Sequence, residues 1–256
     1  MKTLVFGDIH GRTCWKDIIE REKPDRVVFL GDYVSTHEDI TAEQQIENMN
    51  AILRLKEQRI EGVDPEVILL RGNHDVQHLT HDTSTCAYFP EVANWMCKNK
   101  DRFMKATQWV YEDGDIVFSH AGISEVWFRR NEFESIAKIN ECNLFSLFEF
   151  TPNRFSDYYG ESTTQPPTWI RPYTLLECGL PGKKYIVGHT SMKPGIIELG
   201  KYVREHADEQ LNEYFNAFKD RNIEVWCCDA LPRQYLVIVD GQFIVKKNYT
   251  EDPTTW

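Results

Sequence analysis

The sequence predicts an α/β fold: two packed mixed β-sheets flanked by helices, with an α-rich insertion. Three observations predict it. The first third alternates short apolar runs with helical spacing. The last third is dominated by apolar runs joined by tight turns. Between them, residues 124–170 are rich in aromatics and lack clear strands. A parallel half followed by an antiparallel half points to two sheets packed together.

The elements follow in order. Thr3–Phe6 is a buried-strand run ending in Gly7-Asp8. Trp15–Lys23 has helical spacing through Trp15, Ile18 and Ile19. Arg26–Leu30 is a second strand, again followed by Gly-Asp. From Thr41 to Arg59 the chain reads as a helix, with Thr41 and Gln44 as a capping box and Ile46, Met49, Ile52 and Leu53 on one face. Glu66–Leu70 is a third strand, ending in Arg71-Gly72-Asn73-His74. Trp109–Tyr111 and Ile116–Ser119 flank a hairpin turn at Glu112–Asp115. Tyr185–Val187, Val225–Cys227, Tyr235–Val239 and Phe243–Lys246 read as strands, with Asp240-Gly241 turning between the last two. Residues 203–220 read as one acidic amphipathic helix.

Length and composition restrict the function. A chain of 256 residues with 41% apolar content can bury a sizeable core, and it is read as one domain, 1–256, with 124–170 inserted beside the site. The net charge of −11 argues against binding a nucleic-acid backbone, which demands a basic surface, but not against a phosphorylated substrate. No stretch approaches the ~20 apolar residues of a membrane helix, and the first residues are too short an apolar run for a signal peptide. Seven cysteines without a CxxC pair suit a reduced, cytoplasmic setting. The oligomeric state is left open.

Chemistry concentrates at strand ends. Gly7-Asp8-Ile9-His10-Gly11, Gly31-Asp32-Tyr33-Val34 and Gly72-Asn73-His74-Asp75 each follow an apolar run, as do Ser119-His120-Ala121-Gly122 and Gly188-His189-Thr190. Ligands bind at the carboxyl ends of strands in open α/β sheets. Asp8, His10, Asp32 and Asn73 therefore gather on one rim, with His120 and His189 placed in the same way. A single Gly-Asp is an ordinary turn; five such pieces in order are a metal-site pattern. Mixed oxygen and imidazole donors without thiolate suit Mn²⁺, Fe or Zn²⁺ better than calcium.

GDIHG, GDYV, LLRGNHD, SHAG and VGHT resemble the calcineurin-like metallophosphoesterases, from Lys2 to about Asp229. The arginine before GNH and Trp169-Ile170-Arg171 are similar to the branch of Ser/Thr protein phosphatases, phage-type phosphatases and symmetrical diadenosine tetraphosphatases. The resemblance implies two divalent metal ions. Asp8 and His10 would hold the first, Asp32 would bridge, and Asn73, His120 and His189 would complete the second. His74 would be the general acid, and Arg71 and Arg171 would hold phosphate oxygens. It implies hydrolysis of phosphomonoesters, phosphoprotein-like ones first, by metal-bound hydroxide. A symmetrical dinucleoside polyphosphate hydrolase is the second expectation, and a non-catalytic scaffold of the same fold the third. The chain departs from the branch at Ser35 and Thr36, where an aspartate that orients the histidine and a phosphate-binding arginine are usual. Glu38 or Asp39 is a candidate to reach His74 instead, and Arg12 to replace the arginine.

Other features read more plainly. His74, His78 and His81 share a helical face, where packed or exposed histidines are expected over a second metal cluster. Arg129-Arg130 is expected to be a solvated pair, Asp229 structural, and the aromatic insertion mainly packing.

Overall fold

The structure, a computed structural model, describes residues 1–83, 86–150 and 161–248. In the first sheet, β1 (Lys2–Phe6), β2 (Arg26–Phe29) and β3 (Glu66–Leu69) run parallel. On the other side of β1, β9 (Gln234–Val239) pairs antiparallel, and β10 (Gln242–Lys247) forms the outer edge. In the second sheet the order is β4 (Val110–Asp113), β5 (Ile116–Ser119), β6 (Lys184–Ser191), β8 (Glu224–Asp229) and β7 (Ile197–Glu198). Here β5, β6 and β8 are parallel, with an antiparallel strand at each edge.

Alternation along the strands divides the core into layers. Leu4 and Phe6 of β1 face outward to α1 (Trp15–Glu22) and α2 (Ala42–Glu57), while Val5 faces inward. Val5, Val28 and Ile68 of the first sheet meet Phe118, Ile186 and Cys228 of the second in the layer between the sheets. The outer face of the second sheet buries Tyr185, Val187 and Val225 against α6 (Glu125–Arg130), α7 (Pro172–Cys178) and α8 (Leu199–His206). The capping box of α2 forms as its sequence requires: Thr41 Oγ1 accepts from Gln44 N, and Gln44 Oε1 accepts from Thr41 N.

One expectation changes, and two regions gain detail. The single helix over 203–220 is two, α8 and α9 (Glu209–Asn216), because Asp208 caps a new start by accepting from Leu211 N at 2.8 Å. Three helices fill the segment after β3: α3 (Asn73–Thr80), where the spacing of His74, His78 and His81 marks one helical face, and α4 (Pro90–Lys98) and α5 (Lys100–Ala106), which the sequence does not mark. The described part of 124–170 holds α6 and two 3-10 turns, Ile136–Glu141 and Phe145–Leu147. Its Phe148 stacks on Trp109 with centroids 3.6 Å apart, so this part of the insertion packs onto the body. Phe155, Tyr158 and Tyr159 lie outside the described residues.

Candidate active site

β1, β2 and β3 finish level, with Phe6 beside Phe29 and Phe29 beside Leu69, so the segments that follow emerge side by side. They are laced together. Ile9 N and His10 N donate to Asp32 O at 3.0 and 2.8 Å, and Gly11 N donates to Tyr33 O at 2.9 Å. Asp75 closes the lacing from the start of α3. Its Oδ2 accepts from Gly72 N (2.8 Å) and Asp32 N (3.0 Å), and its Oδ1 accepts from Tyr33 N (3.0 Å). The sequence reading missed Asp75; the signal was a carboxylate at the third position of the helix that Gly72 opens. Glycine is needed at two of these approaches, since a Cβ at Gly72 would strike the Asp32 side chain and one at Gly188 the Asp8 carboxylate.

The second sheet supplies the histidines. His120 follows β5 directly. His189 lies inside β6, where the pairing with β8 slips between Val187 and Ser191 and His189 takes a positive φ of 59°. The irregularity swings its ring toward the first sheet. His189 N donates to Asp8 Oδ1 at 2.9 Å, and its Nδ1 is 3.0 Å from Asn73 Oδ1. Asp8, Asp32 and His120 are buried, and each offers an atom within 4.8 Å of the others; among the described residues no other such cluster occurs.

Tautomers follow from the partners. His10 Nδ1 is 3.0 Å from Val34 O, and His120 Nδ1 is 2.9 Å from Leu30 O. A carbonyl only accepts, so both Nδ1 atoms carry protons and donate, which leaves Nε2 turned to the carboxylates. His10 Nε2 lies 3.8 Å from Asp8 Oδ2, and His120 Nε2 3.4 Å from Asp32 Oδ2.

This donor set fits metal. In neutral His120 the Nε2 lone pair would face Asn73 Oδ1 at 2.8 Å, acceptor against acceptor. A cation between them relieves that conflict. Without one a proton must serve: although burial opposes it, Asp32 and Asp8 push the His120 pKa up to about 10. Burial, reinforced by the Asp32 charge, raises Asp8 to about 7 against the pull of His120. Asp32 resists its own burial because His120, His74 and His10 hold it well below the carboxylate range. His189 is kept neutral by burial and by the charges of His120 and Arg171, and its Nε2 is buried without a hydrogen-bond partner.

His74 stands at the edge of this cluster. Its N–H donates to Asp32 Oδ1 at 2.9 Å, its ring lies edge-on to His10, and its Nδ1 is 3.0 Å from Gln77 Oε1. The ring lines a pocket of about 260 Å³ with His10, Arg12, Ser35, Thr36, His37 and Glu38. Arg12 and Glu38, both singled out from sequence, thus share this pocket, but Glu38 pairs with Arg12 and not with His74. Thr36 is buried and its Oγ1 accepts from Glu38 N at 2.9 Å, which fixes the turn.

Two arginines expected at phosphate part company. Arg171 Nη1 donates to Thr190 Oγ1 at 2.9 Å, beside His189. Arg71 is turned toward the body through Nε and Nη2. It is 4% exposed, and it donates through Nε to Thr107 Oγ1 and through Nη2 to the carbonyls of Met104 and Thr107. Its guanidinium lies 4.6 Å from the Trp109 ring centroid. It ties the end of α5 to the body, and burial lowers its pKa to about 10.

His78 and His81 have ordinary protein partners. His78 is buried; its Nδ1 donates to His74 O (2.8 Å) and its Nε2 accepts from Phe89 N (3.1 Å). Exposed His81 meets Tyr88 and Cys97. Arg129 is exposed and pairs with Glu125. Asp229 ends β8 beside Ser191, its pKa raised to about 7 by burial and by Asp8.

A family model for calcineurin-like phosphoesterases matches residues 1–228. No curated protein matches the sequence significantly. Among solved structures, the chain is similar to a point mutant of a cold-active protein tyrosine phosphatase, with 17% identity and a TM-score of 0.60 over 96% of this chain and 77% of that one. It is also similar to the cold-active protein-tyrosine phosphatase of a psychrophile, Shewanella sp., with 16% identity and a TM-score of 0.59 over the same shares. At that identity the likeness is one of fold. No described helix is long and apolar enough to cross a membrane.

Proposed function

The chain belongs to the calcineurin-like phosphoesterase family, and from that premise we propose that it hydrolyses phosphomonoesters, phosphoprotein-like ones first, at the seam between its sheets. The observation that carries this reading is the convergence of Asp8, Asp32 and His120 from two sheets into one buried cluster. Asp8 and His10 would hold one ion, Asp32 would be shared, and Asn73, His120 and His189 would hold the other. Two divalent ions there, Mn²⁺ foremost and Fe or Zn²⁺ next, would activate water and clamp the oxygens of an in-line displacement.

The chain's own residues do the rest. The buried carboxylates and imidazoles fix the site at the seam. Arg171, beside His189, holds phosphate oxygens, and Arg12, in the pocket of His74, does so when its fork exchanges Glu38 for the substrate. His74 passes a proton to the leaving oxygen. A panel of phosphate esters, assayed with added Mn²⁺ and after chelation, tests the reading; a chelated sample as active as the loaded one refutes it.

One observation favours a second reading. Trp169 lies edge-on to His189 at 5.5 Å and meets Phe150 at 5.1 Å, an aromatic ledge beside the candidate ligands. Such a ledge suits a nucleobase. If diadenosine tetraphosphate is split symmetrically much faster than any monoester, the dinucleoside polyphosphate reading takes the first place.

A further inference from the structure

Gln77 is buried one turn beyond His74 on α3. The two ends of its amide have different partners. Nε2 donates to the carbonyl of Cys86 at 3.4 Å, which turns Oε1 toward His74 Nδ1 at 3.0 Å. A carbonyl can only accept, so the amide cannot be reversed without setting oxygen against oxygen. An amide oxygen likewise only accepts, so His74 Nδ1 must carry a proton and donate it. In the neutral ring that leaves Nε2 as the proton-accepting nitrogen available to the pocket; in the charged ring it makes Nε2 the donor. The backbone of this turn is fixed as well, because His78 donates to His74 O and accepts from Phe89 N.

We propose that Gln77 is the positioning residue of His74. It sets the ring's orientation and tautomer, the task left open by Ser35. The backbone N–H of Ser35 donates to Gln45 Oε1 at 2.8 Å, and its buried hydroxyl makes no hydrogen bond to His74 or to any other described group. The anchor is thereby moved from a loop to the helix that carries the histidine, at i+3, where side chains meet. The geometry of the ring is independent of substrate; its catalytic consequence rests on the phosphoesterase reading.

Ring-nitrogen NMR on the full chain loaded with Zn²⁺ reads the tautomer directly, with His74→Asn identifying the signal. The expected result is His74 protonated at Nδ1 in the wild type, and loss of that preference in Gln77→Leu. A wild-type ring protonated at Nε2 alone overturns the proposal, whether or not any ester is cleaved. Kinetics add a second arm. Gln77→Leu should lower kcat on phenyl phosphate roughly tenfold or more, with KM and metal content unchanged, and should spare nitrophenyl phosphate, whose leaving group needs no proton. Gln77→Glu, which retains an acceptor, should restore much of the loss. Equal losses on both esters, or none, overturn the positioning role. If the wild type cleaves neither ester, the phosphoesterase reading fails and the tautomer alone decides this proposal.

Discussion

Arg12 gives both Nε (2.9 Å) and Nη2 (2.6 Å) to one carboxylate oxygen of Glu38, in the pocket that His74 lines. The forked side of the guanidinium that suits a phosphate is therefore held by an internal anion. The Glu38 side chain is 48% exposed, so the pair adds little to stability, ~0–1 kcal/mol.

That balance gives opposite effects for the two partners. Glu38→Gln should lower KM for a phosphomonoester several-fold with Tm unchanged. Arg12→Ala should raise KM by roughly tenfold, the scale of one charge-assisted phosphate contact at about 1.5 kcal/mol. Steady-state kinetics decide it; a raised KM in Glu38→Gln would show that Glu38 itself helps to bind substrate.

Metal should act on stability as well as turnover. Adding Mn²⁺ to stripped protein should raise Tm, because an ion that binds only the folded chain stabilises it by mass action. Asp32→Ala should abolish both the Tm rise and the activity, since that carboxylate lies within reach of Asp8 and His120 together. Elemental analysis checks the loss of metal. A normal Tm rise in Asp32→Ala would remove Asp32 from the ligand set.

Arg71 should prove structural. Arg71→Ala strips partners from Thr107 Oγ1 and from the carbonyls of Met104 and Thr107, and leaves a void beside Trp109. The expected cost is about 2–4 kcal/mol, read as a lower denaturation midpoint. KM for phosphate esters should stay near wild type where the variant is folded. A large rise in KM with unchanged stability would return Arg71 to the phosphate.

Glu22 gives a pH-dependent test far from the site. It is buried where α1 meets β1, β9 and β10, accepting from Lys2, Lys246 and Tyr235. Burial alone would raise its pKa; these three partners outweigh burial and hold it at about 2, below the ordinary 4.5. A depressed folded-state pKa gives stability that is full above 4.5 and is lost as pH falls toward 2. Glu22→Gln should cost on the order of 1–2 kcal/mol at neutral pH, discounted for the partly exposed lysines. The gap from wild type should close across that acid window in urea melts. A gap that persists at the lowest pH would show that charge is not its source.

Sequence makes some of this legible and hides the rest for physical reasons. The strands leading to Asp8, Asp32 and Asn73 are apolar runs stopped by glycine, and α2 announces itself through Thr41 and Gln44. Asp240-Gly241, both at positive φ (48° and 80°), mark the turn between β9 and β10. The bounds of helix α3 are hard to read because its buried residues are mostly polar: Asn73, Asp75, Gln77 and His78 leave only Val76 and Leu79 of the apolar stripe by which a helix is usually found. β7 has only two residues. Arg71 shows a different limit. Its residue type fits phosphate well, but its orientation is set by Thr107, 36 positions along the chain, and spacing within a motif carries no trace of that partner.

The placement of β1 also bears on the order in which the molecule is made. Its neighbour β2 follows within a few dozen residues, but its other neighbour is β9, so that Lys2 pairs with Val239. On the ribosome one edge of β1 waits, unpaired, until β9 has been synthesised. By then the last of the six candidate ligands, His189, and all the strands of the second sheet have emerged. Long-range pairing of this kind slows folding and leaves a bare strand edge for neighbours to find. The seam can therefore gather its donors while the sheet beneath it is still open on one side of β1, the side that β9 later closes.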